Sequence, residues 1–80
     1  MTHEELIQLL VEVTGSSEVR KNPQLKLYDT QVLDSMRTVE LFLALDEQWG
    51  INISPAEFDR EAWATPELFI KDVEARAAQA

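Results

Sequence analysis

Between Asp34 and Gly50 runs an uninterrupted stretch with helix signals at both ends. Aspartate is a favoured N-cap, and glycine takes the left-handed backbone that closes a helix at little cost. Placing the residues on a wheel at roughly 100° per step sets Leu41, Phe42, Leu45 and Trp49 on one side, with Thr38 among them. Met36, Val39 and Leu43 fall on a different side, bordered by Glu40 and Glu47. One apolar stripe is enough to seat a helix on a core. Two stripes require either neighbours on both sides or a partner from outside. In the first case the preceding stretch, residues 16–33, covers Met36 and Val39. In the second, Met36, Val39 and Leu43 stay partly exposed and dock partners, with the carboxylates steering them. The pattern alone leaves both open.

The other segments supply the neighbours. Thr2 and Glu5 have the spacing of a capping box, Leu6, Leu9, Leu10 and Val13 recur at helical intervals, and Gly15 is placed to close the turn. A helix over about residues 3–14 follows. Residues 16–33 hold no sustained period and are rich in turn formers: Ser16-Ser17, Asn22-Pro23 and Asp29-Thr30. A connection of this length is uncommon in a small domain and is often functional. Val19, Leu25, Leu27, Tyr28, Val32 and Leu33 make it a wrapped loop pinned by its own side chains, with a helical turn near Ser17–Lys21. Leu25-Lys26-Leu27 alternates like a strand, but nothing can pair with it and a lone strand is unstable. After Gly50, Ser54-Pro55-Ala56-Glu57 has the N-cap serine, first-turn proline and glutamate of a helix start. It predicts a short helix through Phe58, with residues 59–64 irregular. Thr65-Pro66 restarts the chain, and Phe69, Ile70, Val73 and Ala77 share one face, so the last helix covers about 66–77. The expected fold is all-α: a small four-helix bundle, three helices long and one short, with a long first loop. Eighty residues make a single domain near the lower size limit for independent folding.

Composition narrows the chemistry. Fifteen acidic side chains face seven basic ones, a net charge of −8. Such a chain repels phosphate backbones and anionic lipid, which argues against nucleic acid and membrane surfaces and suits basic partner proteins. No stretch approaches the roughly 18 apolar residues of a bilayer span. The N-terminus lacks the basic and apolar regions of a signal peptide. A soluble, cytoplasmic, monomeric protein is expected. With no cysteine, disulfides, thiolate nucleophiles and cysteine-bound zinc are excluded. The two glycines lie far apart, so no glycine-rich phosphate loop exists. The acids Glu57, Asp59 and Glu61 alternate but lack the glycine and terminal glutamate of a calcium loop.

Ser35 remains. A catalytic serine needs a base within hydrogen-bond reach, and the sole histidine, His3, stands in the first turn of the first helix. Ser35 itself sits in a first turn, where free N–H groups and the positive end of the helix dipole favour an attached anion. With Asp34 capping, its hydroxyl is expected to be free and to face solvent. Taken alone, a serine there is also an ordinary first-turn residue.

The stretch Val32-Leu33-Asp34-Ser35-Met36 resembles the prosthetic-group site of acyl and peptidyl carrier proteins. The longer pattern is more specific. Leu33-Asp34-Ser35-Met36, Thr38-Val39-Glu40-Leu41, Glu57-Phe58-Asp59-Arg60, Trp63 and Thr65-Pro66 together resemble the D-alanyl carrier proteins of Gram-positive bacteria across essentially the whole chain. The resemblance implies an acyl-carrier-protein-like bundle without catalytic activity of its own. It implies 4'-phosphopantetheine esterified to Ser35 by a phosphopantetheinyl transferase. A D-alanine:carrier ligase would load D-alanine on that arm as a thioester, for a membrane-bound acyltransferase that D-alanylates lipoteichoic acid. It also implies partner contacts at Asp34, Met36, Arg37, Val39 and Leu43. Arg37 departs from the pattern, since glycine usually follows the methionine. It places a cation near the expected phosphodiester, three residues after Asp34. A stand-alone carrier of another acyl group, or an adaptor without cofactor, are the competing expectations.

Overall fold

The computed structural model describes residues 1–79, all helix, turn and loop, with no strand among them. Helix α1 spans His3–Thr14, α2 Glu18–Lys21, α3 Ser35–Trp49 and α4 Pro66–Gln79, with a 3-10 helix at Arg60–Trp63 between α3 and α4.

Helix α1 is the hub and packs on α2, α3 and α4. Its capping box forms as the sequence predicts, Thr2 and Glu5 each taking the other's backbone N–H. Gly15 closes it at φ +70°. Leu6, Ile7, Leu9 and Leu10 are buried against Leu41, Phe42 and Leu45 of α3 and Phe69, Ile70 and Val73 of α4 within one continuous core. Burial of this kind, at about 1.5–3 kcal/mol per large side chain, is what holds helices too short to persist alone.

The long loop wraps as expected. Leu27 and Leu33 are fully buried, and Leu25, Tyr28 and Val32 pack against the core. Backbone bonds tie it down: Leu27 N–H donates to the Ala64 carbonyl at 2.8 Å, and Leu33 N–H returns to the Leu27 carbonyl at 2.9 Å. Gln31 sits between them at φ +63°, a left-handed residue that reverses the chain just before α3.

Two boundaries differ from expectation. Ser54–Phe58 is only a turn, closed by Glu57 and Phe58 N–H groups on the Ser54 carbonyl, each at 3.1 Å. The short helix comes later, at Arg60–Trp63, capped by Asp59, whose Oδ1 accepts from Glu61 N–H at 3.0 Å. The cause is tertiary. Trp63 is wholly buried, its ring 5.5, 4.6 and 4.9 Å from those of Phe42, Phe58 and Phe69. Its indole N–H donates to Asp72 at 2.8 Å. Seating that indole requires a tight turn immediately before it, and buried Ile51 and Ile53 fix the segment leading there. The other difference is that α4 runs to Gln79 rather than Ala77. Thr65 caps it, its hydroxyl accepting from Leu68 N–H at 3.2 Å.

Candidate functional site

The start of α3 is built by Asp34. In an extended backbone at φ −142°, its Oδ1 accepts the Arg37 N–H at 2.9 Å, satisfying one of the helix's free donors. Its other oxygen pairs with the Arg37 guanidinium at 3.2 Å. The Asp34 carbonyl accepts twice, from Thr38 N–H at 2.9 Å and from the Thr38 hydroxyl at 2.7 Å.

That second bond orients a chain of groups. The Thr38 hydroxyl has one proton, and a carbonyl can only accept it. Tyr28 Oη lies 2.7 Å from the same hydroxyl, so Tyr28 is the donor of that pair. Burial pushes the Tyr28 phenol above its ordinary value of 10.0, against the pull of the nearby Arg60 charge, while Asp34 adds to the rise. Over the Tyr28 ring lies the Arg60 guanidinium, its central carbon 5.0 Å from the ring centroid, a cation–π contact.

Arg60 also reaches Ser35. Its Nη2 donates to Ser35 Oγ at 2.6 Å, across 25 residues of sequence. The expectation of a free hydroxyl is therefore corrected. Ser35 is exposed, but its oxygen is held by a guanidinium. An arginine stays protonated and cannot serve as a general base. His3 is exposed on α1, and among the described residues no three His, Asp or Glu side chains cluster to hold a metal ion.

Met36, Val39 and Leu43 are 76%, 48% and 59% exposed, so the loop does not cover the second stripe. Thr38, Leu41, Phe42 and Leu45 go to the core, and Trp49 is half-buried beside them. Ser35, Met36, Val39 and Glu40 line one shallow, mainly apolar depression. The structure thus gathers Asp34, Ser35 and Arg37 at the helix start and strings Met36, Val39 and Leu43 down the face below.

Sequence reasoning missed the roles of Tyr28 and Arg60. Arg60 closes the Glu57-Phe58-Asp59-Arg60 stretch of the family pattern, but nothing local ties it to Ser35, and Tyr28 has no local signal. Arg60 stood in a segment read as irregular, and Tyr28 read only as a loop anchor.

No family model matches the chain. Curated relatives do. The chain is 43% identical over 72 residues to the D-alanyl carrier protein of Listeria monocytogenes, covering 90% of this chain and 92% of that protein. It is 45% identical over 69 residues to the D-alanyl carrier protein of Lacticaseibacillus rhamnosus, covering 86% and 85%. It is 39% identical over 72 residues to that of Enterococcus faecalis, covering 90% and 92%.

Proposed function

The chain belongs to the D-alanyl carrier protein family, and from that premise we propose that it carries D-alanine on a 4'-phosphopantetheine arm esterified to Ser35. The observation that supports this most is at Ser35. Its exposed hydroxyl opens a capped helix, lies 2.6 Å from a guanidinium, and has a bare apolar stripe beside it.

The residues fit such a group. An ester at Ser35 Oγ adds an anion where the helix dipole and the Arg60 guanidinium already favour one. For attachment, Ser35 Oγ forms a bond to the pantetheine-bearing phosphorus of coenzyme A. The phosphorus–oxygen bond to adenosine bisphosphate breaks, and the serine proton leaves to a base of the phosphopantetheinyl transferase, since this chain offers none. When bound, the arm supplies a terminal thiol that holds the D-alanyl group as a thioester, chemistry that a chain without cysteine lacks.

The chain's own work is presentation. Asp34 fixes the helix start, so Ser35 projects from a rigid element. Met36, Val39 and Leu43 offer apolar contact to a D-alanine:carrier ligase, and to the membrane-bound acyltransferase that would receive the group for lipoteichoic acid. Acidic surface attracts basic patches on those enzymes. No helix of the described residues is long and apolar enough to cross a membrane, and the membrane step is assigned in this reading to the acyltransferase.

The test is intact mass. Incubation with coenzyme A and a phosphopantetheinyl transferase adds one phosphopantetheinyl mass to the wild type and none to Ser35→Ala. Adding ATP, the ligase and D- or L-alanine then gives a further alanyl mass with the D enantiomer alone. An unmodified wild type beside a modified control carrier refutes the attachment. Loading by another acid and not by D-alanine makes it a carrier of a different group.

A further inference from the structure

Arg60 is unusual among the four arginines here. Carboxylates outnumber cations about two to one, yet among the described residues Arg60 forms no ion pair with any of them. Arg20, Arg37 and Arg76 each do: with Glu4, Asp34 and Asp72. Arg60 spends one N–H on the neutral Ser35 oxygen and sits over the Tyr28 ring, its central carbon 5.0 Å from the centroid. A guanidinium carries five donors, so most of its capacity stays unused by Ser35.

It is also fixed in place. Tyr28 is held by Thr38, and Thr38 by the Asp34 carbonyl, so the ring under Arg60 is keyed to the start of α3. The guanidinium belongs to the 3-10 helix but takes its position from the helix that bears Ser35. Planar and pre-oriented, it presents the fork that matches two oxygens of a phosphate, which a lysine ammonium does not.

We propose that Arg60 is the phosphate-binding residue of this site. On modification of Ser35, its guanidinium passes from the serine oxygen to the non-bridging oxygens of the new phosphodiester and anchors the base of the arm. Tyr28 is the positioning residue beneath it. This rests on the attachment proposed above, and the two can fail separately.

The experiment uses phosphorus and arginine-side-chain NMR on protein converted to the arm-bearing form, with intact mass as the gate. In the wild type, attachment shifts the Arg60 Nε–Hε resonance and slows its exchange with water. The phosphorus resonance lies away from that of the arm on an unfolded carrier. Arg60→Gln accepts the arm, and its phosphorus resonance moves to the unfolded-carrier position. Arg60→Lys, which keeps the charge without the fork, falls between. Circular dichroism confirms that both variants fold, as an exposed residue allows. If the wild type gains mass but Arg60 does not respond, and Arg60→Gln leaves the phosphorus resonance unmoved, the phosphate role is overturned while the attachment stands. If the wild type gains no mass, the attachment and the phosphate role fall together.

Discussion

Tyr28 illustrates how a single residue couples two parts of this molecule. Its ring supports a cation, and its hydroxyl donates into Thr38 at the α3 start. Donation requires the protonated phenol. Burial holds the folded pKa above the unfolded value of 10.0. The proton is therefore bound more tightly in the folded chain. Its contribution to stability is complete below the unfolded value and is lost as pH rises through the folded one. The chain has one tyrosine, so an ultraviolet difference titration reads it without overlap from another phenol. The expected midpoint lies above that of the urea-unfolded chain. Coinciding folded and unfolded midpoints would show that the phenol is not held as described. None of this could be read from residue types in order. A tyrosine in a turn-rich stretch has many uses, and the one it serves depends on an arginine 32 positions on, as the numbers 28 and 60 show.

Helix α3 shows which parts of an element are written locally. Its caps are: Asp34 and Gly50 act through bonds to residues three to five away, so their identity declared both ends. Its core face is too, since helical spacing alone groups Leu41, Phe42 and Leu45. The fate of the other face is not local, because two stripes fit either burial or exposure. The short helix escaped for the same reason. Ser54-Pro55 carries a good start signal, but burying Trp63 among three phenylalanine rings moved the turn to Arg60–Trp63. The bare stripe makes a direct prediction. Met36 is 76% exposed, so Met36→Asp changes stability by no more than about 0.5 kcal/mol, while Val39→Asp, at a half-covered side chain, costs about 1 kcal/mol. Both are expected to accept the arm at Ser35 and to lose most loading by the ligase, measured as initial rate against ligase concentration. Normal loading in both variants would show that partners dock elsewhere.

On the scale of the whole molecule, shape settles what α3 could not. The body measures 30 × 26 × 17 Å, and a helix with its side chains is about 10 Å across, so its thin dimension holds two layers. In two layers every helix has a core side and an outer side, and a second apolar stripe has nowhere to go but out. The site gathers three segments that the sequence keeps apart: Tyr28 from the loop, Ser35 from α3, Arg60 from the 3-10 helix. Only the part carried by one segment, Asp34 to Leu43, showed in the order of residues. Helix α1 contributes no site residue but touches α2, α3 and α4, so it sets the frame in which those segments meet. The aromatic cluster beneath that frame has an optical consequence. Trp63 is sealed among rings while Trp49 is half-exposed, so Trp49→Phe leaves one emitter in a dry setting. Its fluorescence is expected at short wavelength and resistant to iodide until the chain unfolds. Arg60 begins the single turn that Trp63 ends. An occupant that draws on Arg60 at the surface is therefore expected to change the emission of Trp63 inside, and the chain would report its own modification as light, without a dye.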